Sequence, residues 1–332
     1  MVRRAFGRYW NAAAFLLRYA GSSPADAGSL SDNVLDRWIR SELNGAVREV
    51  TAALERIDAA AAGRRITVFT TDLSRWYLRR SRHRFLAGAD RAAALATLSA
   101  CLGVLTRLMA PFAPFLTDYV WHLIRPAGSV ESVHLAPWPD VRPALIDRDL
   151  GEQMALARRA CGLGRAARAS AGIGLRQPLS RALVWSGERD LDPALLALIA
   201  DELNVVIADQ IARQPRDVPG GWVVAARSGI AVAIDQRVTA DLAIAGLAHQ
   251  LARRVQDARK KYGLVPGAPV ELWWRAADPG VAAALDSQRT VIMSATGASR
   301  AGSLPHDAAA PARELADVLP GITIWLRPEP VS

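Results

Sequence analysis

The 332-residue chain is poor in cysteine, in histidine and above all in lysine. Its two cysteines, Cys101 and Cys161, form no CxxC pair. Its five histidines (His83, His122, His134, His249 and His306) stand at no ligand-like spacing. A structural zinc site needs four soft ligands at short spacing, so no metal is expected. Two isolated cysteines fit a reducing cytoplasm. No secretory signal is expected: Met1-Val-Arg-Arg is basic, but Arg8 and Arg18 interrupt the apolar stretch and no clean cleavage site follows. The longest stretch without a charged side chain, residues 92–106, is too short for ~30 Å of hydrocarbon, so no membrane partner is expected. There is no GxxxxGK[ST] loop and no GxSxG elbow. Gly162-Leu-Gly164 and Gly172-Ile-Gly174 each lack the third glycine of a dinucleotide loop. No catalytic residue and no cofactor site can be nominated. Disorder and collagen-like repeats are excluded by 51% hydrophobic and 22% charged residues.

What the chain has is arginine. Of 41 basic residues only Lys260 and Lys261 are lysine, and 32 acids leave a net charge of +9. Coding bias accounts for the arginine-to-lysine ratio but not for the net excess, which suits a polyanionic partner. The basic residues concentrate in Asp72-Leu-Ser-Arg-Trp-Tyr-Leu-Arg-Arg-Ser-Arg-His-Arg-Phe85, five arginines against one acid. On a helix Arg75, Arg79 and Arg82 make one stripe, and Arg80 and Arg84 a second ridge. Trp76 and Tyr77 interleave with them. Forked guanidinium groups bind phosphate, and they and aromatic rings stack on exposed bases. The same spacing also fits a solvated charged face with Trp76 and Tyr77 in the core, and it does not choose between the two. A second cluster, Arg253, Arg254, Arg259, Lys260 and Lys261, shares a helix with Leu247, Leu251, Val255 and Ala258. An ordinary amphipathic surface helix is the simpler reading of this cluster.

The periodicity predicts a mainly α protein. Helices are expected over 6–20, from a Ser31-Asp32 cap through Leu35, Ile39, Leu43, Val47, Val50, Leu54 and Ile57, over 64–85, over 91–109 and on to 124. A loop at Gly21-Ser-Ser-Pro24 and a stop at Pro111-Phe-Ala-Pro114 separate them. This reads as a helical bundle over 1–148. A helix over 149–169 follows. Short β-like runs at 181–185, 204–208, 222–226, 230–235 and 270–275 then alternate with helices at 193–203 and 239–262. The part over 149–332 reads as a smaller α/β (α+β) module with a connecting helix. No repeat of fixed period is visible, and residues after Asp278 receive no assignment. Asp201-Glu202 reads as a pair of helix-surface charges.

Taken in order, several segments resemble the C-terminal half of isoleucyl-tRNA synthetase, a class I aminoacyl-tRNA synthetase. They are Tyr9-Trp-Asn11 with Phe15 and Tyr19-Ala20; Leu35-Asp-Arg-Trp-Ile39 with Leu43-Asn44; and Asp72-Leu-Ser74, Trp76-Tyr77, Arg79-Arg-Ser-Arg82 and Arg84-Phe85. Next come Pro111-Phe-Ala-Pro-Phe115, Ser132-Val-His-Leu135 with Trp138-Pro139, Arg176-Gln-Pro-Leu179 and Asp201-Glu-Leu-Asn204. Gly246-Leu-Ala248 with Arg254, Gln256, Arg259-Lys260 and Gly263-Leu264 completes the series. The family's HIGH and KMSKS catalytic signatures do not occur in these residues, and its zinc finger has no cysteines here. The resemblance implies an anticodon-binding domain and a C-terminal module that bind tRNA, isoleucine-accepting by kinship. Arg75, Trp76, Arg79, Arg80, Arg82 and Arg84 would make the first contact, and Arg253, Arg254, Arg259 and Lys260 a second. ATP-dependent ligation would need a separate catalytic chain. A repurposed scaffold that presents tRNA to a partner enzyme, or regulates that enzyme, is the alternative.

Overall fold

The computed structural model describes residues 2–20, 31–87, 90–187, 189–215, 220–264, 268–305, 313–319 and 321–328. The Gly21–Pro24 loop expected above lies outside them. The chain divides into two compact units, Met1–Ala155 and Leu156–Ser332, and the division falls inside a helix. The first unit is helical. It contains α1 (Val2–Ala20), α2 (Val34–Glu55), α3 (Ala59–Asp72), a π-helical turn (Leu73–Tyr77), α4 (Leu78–Arg80), α5 (Arg82–Ala87), α6 (Arg91–Met109) and α7 (Pro114–Ile124). The helix that bridges the division is α8 (Arg148–Ser170).

The apolar stripe of α2 buries Leu35, Ile39, Leu43, Val47 and Val50. Its cap is Asn33, whose side chain accepts from the Leu35 amide at 3.0 Å, rather than Ser31-Asp32. Ser31 instead receives the Asn33 amide at 3.2 Å. The stripe also ends sooner than its spacing suggests. Helix α2 stops at Glu55, and Ile57 is 91% exposed in the left-handed region at φ +59°. A β-branched residue is strained there. Ile57→Gly is therefore expected to raise stability by about 0.5–1 kcal/mol, read as a higher urea midpoint at unchanged slope.

Helix α6 runs through the bundle and buries Leu95, Leu98, Cys101, Leu102 and Leu105. At 19 residues it is long and apolar enough to cross a membrane, which the count of uncharged residues did not anticipate. Of its most apolar stretch, 56% is buried inside the bundle, which accounts for its composition. It stops before Pro111, and Pro114 opens α7, as the prolines require. Aromatic contacts join α1 to the arginine-rich segment: Phe15 meets Phe85 edge-on at 5.1 Å, and Phe85 meets Tyr77 at 6.2 Å.

The second unit is built on two four-stranded sheets. The first has order β2-β1-β4-β3, from β1 (Leu179–Trp185), β2 (Val205–Gln210), β3 (Trp222–Arg227) and β4 (Ile230–Asp235), with α9 (Pro193–Leu203) between β1 and β2. Strands β1 and β2 are parallel, and β4 runs antiparallel to both β1 and β3. Residues beyond α10 (Ala240–Lys261) and β5 (Val270–Ala276) enlarge the module. Helices α11 (Pro279–Ser287) and α12 (Arg289–Thr296) and strands β6 (Ala298–Ser303), β7 (Arg313–Leu319) and β8 (Ile322–Pro328) complete a second sheet, β6-β5-β8-β7. Its core joins Leu251 and Val255 to Leu272, Trp274, Ile292 and Ile324.

The two sheets share one connectivity, a long helix, a parallel β-α-β unit and a β-hairpin. Helices α8 and α10, and the four pairs of strands, start 91–93 residues apart. The loops correspond in detail. Arg168 donates to the carbonyls of Leu203 (3.0 Å) and Gln177, and Arg259 donates to those of Thr296 (3.3 Å) and Ala268 (2.5 Å). Gly172 and Gly263 follow at φ +69° and +67°, and Pro178 and Pro269 precede the strands. The module thus contains an internal structural repeat. Sequence periodicity misses it because connectivity and a few loop residues carry it, not a recurring side-chain pattern.

Candidate nucleic-acid interface

The arginine-rich segment is positioned by a buried polar hub. Asp36 is fully buried on α2 and receives both terminal nitrogens of Arg84, at 2.9 and 2.6 Å. It also accepts the Tyr77 hydroxyl at 2.7 Å. Asp90, before α6, accepts Arg84 Nε at 2.7 Å. Four elements are thereby fastened at one point. Beside it, the π turn widens the helix, with the Leu78 amide reaching back to the Leu73 carbonyl. Leu73, Trp76 and Tyr77 all face inward there, and Trp76 Nε1 donates to Met154 Sδ at 3.2 Å.

This geometry sorts the expected contact residues. Arg75, Arg79 and Arg82 are exposed, and Arg80 is half-buried. Arg84 is only 3% exposed, so it is a tie within the bundle and not a phosphate ligand. Trp76 is also interior and presents no face for a base. In the second cluster Arg253, Arg254 and Lys260 are exposed, with Arg253 paired to Asp257 at 3.4 Å. Arg259 is buried on the carbonyls of Thr296 and Ala268, where lost hydration lowers its pKa. Glu202, read above as a surface charge, is 3% exposed and paired with Arg165. A signal for Arg84 was present, since it sits seven residues after Tyr77 and beside Phe85, on the apolar face of the segment. Nothing local marked Asp36 as its partner, 48 residues away.

Charge ties of this kind set a pH window. The Arg84 guanidinium beside Asp90 holds that carboxyl below its usual range, and Arg237 does the same for Asp235. Stability from these depressed groups is present above the unfolded pKa near ~4 and lost as pH falls through the folded values. Burial pushes the Cys101 thiol up to about 12 and the Tyr77 phenol well above its ordinary range. Their contribution is complete below the unfolded values of ~8.5 and ~10 and is lost as pH rises. Melting temperature is expected to be flat between about pH 5 and 8 and to fall on both sides.

Among the described residues no cluster of three or more His, Cys, Asp or Glu could hold a metal. Residues 36–183 match the family model described as the anticodon-binding domain of tRNA ligase, a stretch that opens on Asp36 and contains the arginine-rich segment. The isoleucine–tRNA ligase of Thermobifida fusca is 40% identical over 89% of this chain and 35% of its own length. That of Streptomyces avermitilis is 37% identical over 88% of this chain and 35% of its own length. The chain is a relative of the isoleucine–tRNA ligases.

This ligase relative corresponds to a C-terminal part of those proteins and spans about a third of their length. Among solved structures, the ternary complex of Agrobacterium radiobacter K84 agnB2 LeuRS with tRNA and LeuAMS is 26% identical. That match covers 44% of this chain and 17% of the other, with a TM-score of 0.35. In this chain the segment Asp72-Leu-Ser-Arg-Trp-Tyr-Leu-Arg-Arg-Ser-Arg82 is largely scaffold, with Leu73, Trp76, Tyr77 and Ser81 buried. Its solvent side carries the arginines.

Proposed function

We propose that this chain binds tRNA through the helical unit, with isoleucine-accepting tRNA preferred, as the anticodon-binding portion of a system for tRNA aminoacylation. The observation that carries this reading is the exposed set Arg75, Arg79 and Arg82 on the anticodon-binding-type domain. Arg80 stands beside them, and Arg253, Arg254 and Lys260 offer a second phosphate contact. Binding would draw its affinity from counterion release, and base contacts would supply discrimination. Activation of the amino acid with ATP falls to catalytic machinery that these residues do not contain, on a separate chain or in further sequence.

A gel-shift titration with isoleucine tRNA and an unrelated tRNA at two salt concentrations tests this. Tight, salt-sensitive binding that prefers isoleucine tRNA is the expected result, and equal weak binding to both would overturn the preference. The scaffold reading has its own support in an exposed apolar face of the helical unit. Trp10 of α1 stacks on Tyr119 of α7 at 6.0 Å, and Phe115 and Leu123 continue the stripe at 91% and 41% exposure. Recovery from source cells of a protein partner without RNA would favour that reading.

A further inference from the structure

The helical unit holds a cavity of about 710 Å³ that none of the roles above uses. That volume lies within the ~300–1,000 Å³ typical of small-molecule sites. It opens between α2, α6, the chain after α7 and the segment 137–145. Leu43 and Val47 of α2 and Val104 of α6 supply apolar wall.

Two indoles line it in fixed orientations. Trp121 Nε1 donates to the Val130 carbonyl at 3.0 Å, and Trp138 Nε1 donates to Thr51 Oγ1 at 2.8 Å. Each N–H is thus satisfied, but Trp121 is packed in the core with Ala110 and Val133, whereas Trp138 is 37% exposed and offers its carbon surface without losing rotamer freedom on binding.

Four arginines from distant parts of the sequence line the same cavity: Arg40, Arg107, Arg125 and Arg142. Arg40 holds the carbonyls of Asp36 (3.1 Å) and Ser31 (2.6 Å). Arg107 holds those of Gly103 (3.3 Å) and Pro137 (3.2 Å). Arg125 holds those of Ser129 (3.0 Å) and Val130 (2.9 Å). Neutral carbonyls orient three of these guanidinium groups and bring no negative charge to them. Among the described residues no carboxylate lies within ion-pair distance of any of the four, and Asp140 is the one acid in the lining. Burial lowers the pKa of Arg107, and the neighbouring Arg142 adds to that effect while Asp140 opposes it.

Excess cationic donors around an apolar hollow with an exposed, anchored indole match a ligand with a flat aromatic part and an attached anion. A phosphate suits the forked guanidinium groups, and a nucleobase suits the exposed indole of Trp138. We propose that this cavity binds one nucleotide, its phosphate on Arg107 and Arg142 and its base against Trp138. A free mononucleotide and an unstacked nucleotide within an RNA share this chemistry. The RNA case rests on the tRNA reading above, and the mononucleotide case does not.

Equilibrium dialysis of the full chain with each of AMP, GMP, CMP and UMP tests the site, beside inorganic phosphate and the matching nucleosides. The variants Arg107→Ala and Arg142→Ala, and the gel shift with isoleucine tRNA, complete the design. At least one nucleotide should bind saturably and at least tenfold tighter than phosphate or nucleoside alone if the cavity takes it free. Each arginine variant should then weaken it about tenfold. If only an RNA nucleotide enters, the mononucleotides do not bind but each variant weakens tRNA binding about tenfold. Arg107→Ala also removes the hydrogen bond to Pro137, so Arg142→Ala, whose side chain makes no such bond among the described residues, is the decisive variant at unchanged melting temperature. Arg142→Ala with wild-type affinity for every nucleotide and for tRNA overturns the site while leaving the tRNA reading intact. Failure of the wild-type chain to bind any tRNA overturns that reading, and the dialysis still decides the cavity.

Discussion

Replacing Arg84 by alanine is expected to destabilise the helical unit by about 3–5 kcal/mol. The cause goes beyond the missing hydrogen bonds. Asp36 is fully buried, and Arg84 supplies the counter-charge and two of its hydrogen bonds. Without Arg84 a carboxylate is left in a low-dielectric interior with the Tyr77 hydroxyl as its remaining donor among these contacts. It must then take up a proton or draw in water, and both distort the junction of α2, the π turn and α6. Asp36→Asn should cost less, because it removes the buried charge of one partner but keeps an acceptor for Tyr77. Arg84→Lys should fall between them, since an ammonium cannot reproduce the forked contact. Urea unfolding followed by helical circular dichroism checks the series. An Arg84→Ala midpoint within experimental scatter of wild type would refute the hub. The result also governs how RNA binding is read, because an unfolded bundle would mimic the removal of a phosphate ligand.

The triple variant Arg75→Ala, Arg79→Ala, Arg82→Ala should fold normally and bind isoleucine tRNA with a flatter salt dependence. All three side chains are exposed, unlike that of Arg84. Each arginine that neutralises a phosphate contributes about one unit to the slope of log K against log salt. Removing three such arginines therefore predicts a change of about three units, and a fall in affinity that is largest at low salt. Single variants give about one unit each if the three act independently. A slope and affinity unchanged in the triple variant would remove this face from the interface and shift attention to Arg253, Arg254 and Lys260. Arg84→Ala and Arg259→Ala do not belong in such a series, since both residues are held inside the protein.

Much of the local structure was legible in the residues. The strand Ile230–Asp235 and the helix Pro193–Leu203 follow from β-branched content in the one and a Pro start, a spaced apolar face and a helix-ending Asn204 in the other. The stop at Pro111 and Pro114 follows from proline chemistry. Kinship with the isoleucine–tRNA ligases was legible because several short motifs recur in the same order. The limits of α2 were less so. Neither the Asn33 cap nor the left-handed Ile57 can be told from spacing, because Ser31, Asp32 and Asn33 all cap well and the apolar stripe gives no sign of ending before Ile57.

Composition, near-neighbour spacing and local propensity were enough to establish the arginine excess, its concentration around residues 75–84, the lack of the family's catalytic signatures in these residues and the order of helices and strands. Which arginines meet solvent was settled at the level of packing. Arg84 and Arg82 are two residues apart and chemically identical, yet one is buried on Asp36 and the other exposed, because burial depends on what another helix brings opposite. The same dependence gathered Arg40, Arg107, Arg125 and Arg142 around one cavity and set the two sheets in the same connectivity. Contacts between residues distant in the chain carry those features, and no local pattern encodes them.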